Sequence, residues 1–160
     1  MAGPRAREMP AWVLRPISDM PVLGSAESLS GVERELQEML DRYSTALEAG
    51  DLETIESCMR TDEQLVVIES SYPNYGWEDY YTNHLSQELG TLENVSYKAE
   101  LVHAHGTDNL SYGVFIYKAS GSRGGNHRSV EGMGTLVAER MDGEWRIRHW
   151  ATASRRPLSH

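Results

Sequence analysis

The sequence predicts an α+β fold in which three helices gather on one face of a mainly antiparallel sheet. Apolar residues recur at helical spacing through the first half of the chain. The second half holds four long strand-like runs separated by turn sequences. The resulting order, α-α-β-α-β-β-β-β, keeps helices and strands in separate blocks. With 160 residues, 39% of them hydrophobic, the chain suits one domain with a real core.

Residues 1–27 read as an irregular arm, because Pro4, Pro10, Pro16 and Pro21 interrupt any regular element. Trp12, Val13 and Leu14 are its docking candidates, and the broken apolar content makes it a poor signal peptide. The folded domain is expected over 28–156, with 157–160 as a tail. It opens at "SGVE", a capping box of Ser30 and Glu33. Val32, Leu36, Met39, Leu40, Tyr43 and Leu47 then form a one-sided stripe that stops at Gly50. Asp51 caps a short second helix that turns Leu52, Ile55, Cys58 and Met59 inward. "QLVVIES" (64–70) is a β-branched strand, and "SYPNYG" is read as the turn that ends it. A third helix runs from Trp77 to about Leu89 along the ridge Trp77, Tyr81, Leu85 and Leu89, with Tyr80 and His84 flanking it.

The four strands are expected at 94–105, 109–119, 127–139 and 144–154. "GTDN", "SGSRGGN" and "MDG" are the connections of an antiparallel meander. Strict alternation puts Tyr97, Ala99, Leu101, His103 and His105 on one face of the first. It likewise groups Glu131 with Met133, and Trp145 with Ile147 and His149.

The formal net charge of −9 argues against nucleic acid as a partner. The charge is uneven: residues 30–100 hold 16 Asp or Glu against 4 Lys or Arg, whereas 101–160 hold 5 against 8. The bland account of this is a solvated acidic helix face, and attraction between the two halves is the other. No apolar run approaches a membrane span. The single cysteine, Cys58, leaves no disulfide framework, which points to a reducing, cytoplasmic setting, and Cys58 itself reads as a small core residue.

The first helix running into "EAGDLETI", the "GWEDYYTNHL" helix, and the "EGMGTLVAER" and "GEWRIRH" strands resemble the SnoaL-like group of the nuclear transport factor 2-like superfamily, over residues 30–155. The resemblance implies a cone: a strongly curved sheet wraps the long helix and leaves a pocket at its wide end. It also implies a homodimer through the outer sheet face. The superfamily includes ketosteroid isomerases, polyketide cyclases, dehydratases, epoxide hydrolases, transport adaptors and association domains. Fold therefore does not choose the reaction, and the site must.

The expected site is a conical pocket for a small, partly apolar or aromatic organic ligand, walled by Tyr43, Met59, Trp77, Tyr81, His103, Tyr117 and Met133. His149, Glu131 and His84 are the candidate catalytic groups: an imidazole facing a carboxylate is the minimal kit for moving a proton on carbon, as in isomerisation, cyclisation or dehydration. Glu131 is either an inward carboxylate, or it faces solvent or pairs with Arg128, Arg146 or Arg148. SnoaL-like relatives place a second histidine at the position of Ala151, and the aspartate base and oxyanion hole of ketosteroid isomerases have no match in this chain. No cofactor is called for. The competing readings are a non-catalytic ligand-binding or dimeric association module, and a metal-binding variant in which His84, His103 and His149 converge. His127 and His160 are expected in solvent.

Overall fold

A computed structural model describes residues 15–157. Trp12, Val13, Leu14 and His160 lie outside the described residues. Helix α1 (Gly31–Ala49) buries Leu36, Met39, Leu40 and Tyr43 and ends at Gly50, whose φ of 67° gives the left-handed cap that glycine adopts without strain. Ser30 occupies the N-cap position, but its side chain makes no capping bond. Asp51 does cap α2 (Leu52–Ser57), accepting from the Thr54 amide. The third helical stretch is interrupted: α3 (Trp77–Tyr80) passes through a π turn at Tyr81–Leu85 into α4 (Ser86–Thr91).

Six strands form one sheet: β1 (Val66–Glu69), β2 (Tyr72–Tyr75), β3 (Glu93–Gly106), β4 (Leu110–Arg123), β5 (Asn126–Met141) and β6 (Glu144–Arg155), in the spatial order β2-β1-β6-β5-β4-β3. All pairs are antiparallel except β1 with β6. The sheet is thus mixed, and the helices cover its inner face. The "SYPNYG" segment is a strand rather than a turn. Reversal occurs one step earlier, at Ser70 and Ser71, whose φ values of 49° and 72° make a two-residue hairpin. Pro73 is tolerated because β2 lies at the sheet edge. The loop "SGSRGGN" likewise contracts to Gly124-Gly125, and the strands on either side lengthen to meet it.

Of the three register shifts in the sheet, two decide where the histidines of β3 and β6 face. In β3, Leu101 opposes Phe115 and His103 opposes Val114, so Val102 is extra. In β6, Ile147 opposes Ala138 and His149 opposes Val137, so Arg148 is extra. Each extra residue reverses the alternation beyond it. Ala104, not His103, continues the buried face of β3, and Trp150, not His149, continues that of β6.

The core is then α1 against the inner sheet face. Leu36, Leu40 and Tyr43 pack with Leu101, Phe115, Leu136, Ile147 and Trp150. Gly134 lies under the Phe115 ring, where a side chain would collide. Residues 15–29 follow the opposite route. Ile17 is buried as this segment crosses the outer face near β5, and the Leu23 amide then donates to the Leu101 carbonyl on the free edge of β3. From α1, Gln37 secures the same edge, accepting from the Leu101 amide at 2.9 Å and donating to the Ala99 carbonyl at 3.1 Å.

Candidate functional site

A cavity of about 450 Å³ opens at one end of the cone. Its aromatic wall is Tyr43 from α1, Tyr97 from β3, Tyr117 from β4 and Trp150 from β6. These rings support one another: Tyr97 stacks on Tyr117 at 5.7 Å, and Tyr43 lies 5.1 Å from Trp150. The charged residues lining it are Glu48, Glu69, Glu88 and Arg128.

Glu69 arrives at the end of β1, on the inward parity shared with Val67, and Glu88 arrives from α4. Between them stands His84, whose Nε2 lies 2.8 Å from Glu69 Oε2 and 3.1 Å from Glu88 Oε1. The other ring nitrogen is fixed from behind. Asn74 is buried on β2 and its amide Nδ2 donates to Asp79, so its Oδ1 faces His84 Nδ1 at 3.2 Å and must accept from it. Nδ1 therefore carries a proton, and Nε2 is the nitrogen presented to the two carboxylates. Hydrogen bonds to Glu69 and then Glu88 outweigh burial and raise the His84 pKa to about 10, which makes it an imidazolium at neutral pH. The phenols nearby stay neutral. Burial, followed by the charges of Tyr80 and Glu69, pushes Tyr43 well above the ordinary range; burial does the same first for Tyr80 and Tyr97. Burial also raises Tyr117, against hydrogen bonds with Ser154 and Thr152.

The expected site residues separate. Tyr43 and Tyr117 line the cavity, and His84 stands behind its carboxylates. His149 points outward, because the Arg148 bulge reverses β6, and its Nδ1 donates to the Val66 carbonyl at 3.0 Å. His103 is turned out by the Val102 bulge and bonds Tyr112 at 2.9 Å. The three-imidazole set of His84, His103 and His149 is therefore not assembled. Glu131 and Met133 share the outer parity of β5, opposite Gly132 and Gly134, which face inward. Glu131 is buried there and bonds Arg155 at 3.1 Å, rather than Arg128, Arg146 or Arg148. Met59 is core, bridged to Ile147. Trp77 and Tyr81 stack on each other at 5.8 Å and line a separate groove with Asp62, Glu63 and Glu78. The π turn causes this: the extra residue carries the buried ridge from Tyr80 to Leu85, five positions on.

Sequence reasoning missed Glu69, Glu88 and Asn74. One signal was present, since His84 and Glu88 are four apart on a helix and so share a face. Glu69 also breaks the apolar run "LVVI".

Among the described residues no helix is long and apolar enough to cross a membrane. Comparison with curated proteins finds no match. The structure is similar to a nuclear transport factor 2-like superfamily protein from Salmonella enterica serovar Typhimurium at 19% identity and a TM-score of 0.69, covering 80% of this chain and 92% of that one. It is also similar to a proposed ketosteroid isomerase from Shewanella frigidimarina, at 17% identity and a TM-score of 0.62, covering 77% and 98%. A third similar structure is a proposed scytalone dehydratase from Novosphingobium aromaticivorans, at 13% identity and a TM-score of 0.67, covering 79% and 86%. At these identities the likeness carries the fold alone. The family model for the SnoaL-like domain matches residues 36–154. With helix α1, the curled sheet and the cone in place, the chain has the nuclear transport factor 2-like fold and belongs to the SnoaL-like family.

Proposed function

We propose that the cone binds a small, partly apolar or aromatic organic molecule and moves a proton on it without a cofactor, in isomerase, cyclase or dehydratase fashion. The observation that carries this reading is the Glu69–His84–Glu88 cluster set into an aromatic wall. Glu69 is the proton acceptor facing the ligand, and His84 is the group that positions it and returns the proton. Aromatic rings and a cavity of about 450 Å³ suit a flat molecule of one or two rings. The names of the two enzyme-like structural neighbours are consistent with this chemistry.

The test works whatever the natural product is. Cyclic enones and aromatic ketones in D2O are followed by proton NMR for exchange at the carbon next to the carbonyl. Wild type is expected to accelerate exchange about a hundredfold or more over Glu69→Gln, the usual worth of a positioned base. Equal exchange by the two proteins, with ligand binding intact, overturns the assignment.

A second reading, a dimeric association module, is favoured by the half-buried outer strip of Val66, Ile68, Met133, Val137 and Ala151. Light scattering on the intact chain tests it. A monomer across the micromolar range removes the homodimer.

A further inference from the structure

We propose that Glu69, His84 and Glu88 form a binding site for one divalent first-row transition-metal ion, open toward the cone. Three protein ligands converge: one atom from each residue lies within 4.8 Å of the others. They come from two different elements, β1 and the helical stretch that includes the π turn, so the cluster is a product of the fold rather than of one helix face. The Nε2–carboxylate separations of 2.8 and 3.1 Å match the edge of a coordination polyhedron. Bonds of about 2.1 Å place neighbouring ligands roughly 3.0 Å apart in an octahedron and 3.4 Å apart in a tetrahedron.

The surroundings supply what a ligating histidine needs. Asn74, itself fixed by Asp79, accepts the Nδ1 proton and aims Nε2 at the site, the outer-shell arrangement that holds a metal-bound imidazole in one tautomer. The side chains are 15% exposed for His84, 24% for Glu69 and 40% for Glu88. They are thus sheltered on the helix side, while both carboxylates line the cavity and leave coordination positions facing it. One imidazole and two carboxylates favour zinc, manganese, iron or cobalt over magnesium or calcium, which prefer oxygen alone. As the ion enters, the Nε2 proton leaves to solvent, so charge and ligands balance.

The binding does not depend on the proposed reaction, but its consequence does. With an ion in place Glu69 and Glu88 are ligands, and Glu69 no longer accepts a proton from a substrate. Metal occupancy therefore switches off the proton-transfer chemistry proposed above.

The experiment uses untagged full-length protein, stripped with EDTA, desalted, and titrated with CoCl2 by visible absorption and with ZnCl2 by calorimetry, with no organic ligand present. One equivalent of each metal should bind. Glu69→Gln, Glu88→Gln and His84→Ala should each weaken binding about tenfold or more, as should Asn74→Ala through the outer shell. His103→Ala and His149→Ala should bind as wild type does. Circular dichroism and cooperative melting certify that each variant is folded, and Glu88→Gln, the most exposed of the three, serves if another is not. Absence of stoichiometric binding, or binding unchanged in folded Glu69→Gln and Glu88→Gln, overturns the site. The deuterium-exchange assay is run separately in EDTA, so failure of the metal site and failure of the proton-transfer reading give different results.

Discussion

Gly134→Ala tests the packing that shapes the cone. The glycine sits on the inward face of β5 with extended backbone, so its absence of a side chain serves packing rather than a special φ. A Cβ there would lie 2.7 Å from Phe115 Cε2 and 2.8 Å from Cε1. The ring has little freedom to yield, because Phe115 is fully buried with Trp150 only 4.6 Å away between centroids. One methyl forced into such a site costs about 2–3 kcal/mol, toward the upper end of core overpacking. For a chain of this size that lowers the melting temperature by roughly 5–10 °C. Urea unfolding with circular dichroism gives the free energy. A double-mutant cycle with Phe115→Leu should return a coupling of about 1–2 kcal/mol, because removing the ring removes the clash. A loss under about 0.5 kcal/mol, or strict additivity with Phe115→Leu, would show that the contact between ring and glycine is not what this position requires.

Three further outcomes follow from other contacts. Gln37→Leu removes two buried hydrogen bonds to the edge of β3; a loss of about 2 kcal/mol and faster exchange of the Leu101 amide are expected, and unchanged exchange contradicts the edge role. Glu139 has its carboxyl held below the ordinary range, chiefly by Arg148 and then Arg60. Its contribution is therefore complete above the unfolded pKa of about 4.3 and is lost as pH falls through the lower folded value. Glu139→Gln should lose less stability than wild type on acidification, and parallel pH profiles of the urea midpoint refute this. Cys58 is fully buried, and burial raises its thiol pKa; a disulfide reagent should label it only on unfolding, and rapid native labelling removes it from the core.

The fold was readable because its signals are periodic and local: the α1 stripe, the Gly50–Asp51 junction and the runs of β3 to β6. Strand β2 was hidden because Pro73 and Asn74 carry turn chemistry, and only their position at a sheet edge makes them compatible with a strand. The candidate site was readable in part. Tyr43 follows from the helical stripe of α1 and Tyr117 from the alternation of β4, and no irregularity disturbs either. His149 and His103 do not, because nothing in the chemistry of Arg148 or Val102 marks either as the extra residue of a bulge. Glu131 failed for a different reason. Parity grouped it with Met133 correctly, yet its side of the sheet depended on which face the helices took, and Gly132 and Gly134 were the inward residues.

The Val102 bulge, the Arg148 bulge and the π turn at Tyr81–Leu85 have a common consequence. Each adds about one residue to an otherwise regular element, which at the level of the gene is a single codon. A shift of that size leaves hydrogen bonding largely intact while exchanging what is offered to the cavity for what is offered to the outside. Histidine chemistry in this scaffold is therefore addressed by phase rather than by composition: His84 lies in the π turn, while His103 and His149 lie just past the bulges. Relatives that differ by one such codon would present a different set of imidazoles from nearly the same sequence, a route to new chemistry that substitution alone does not open.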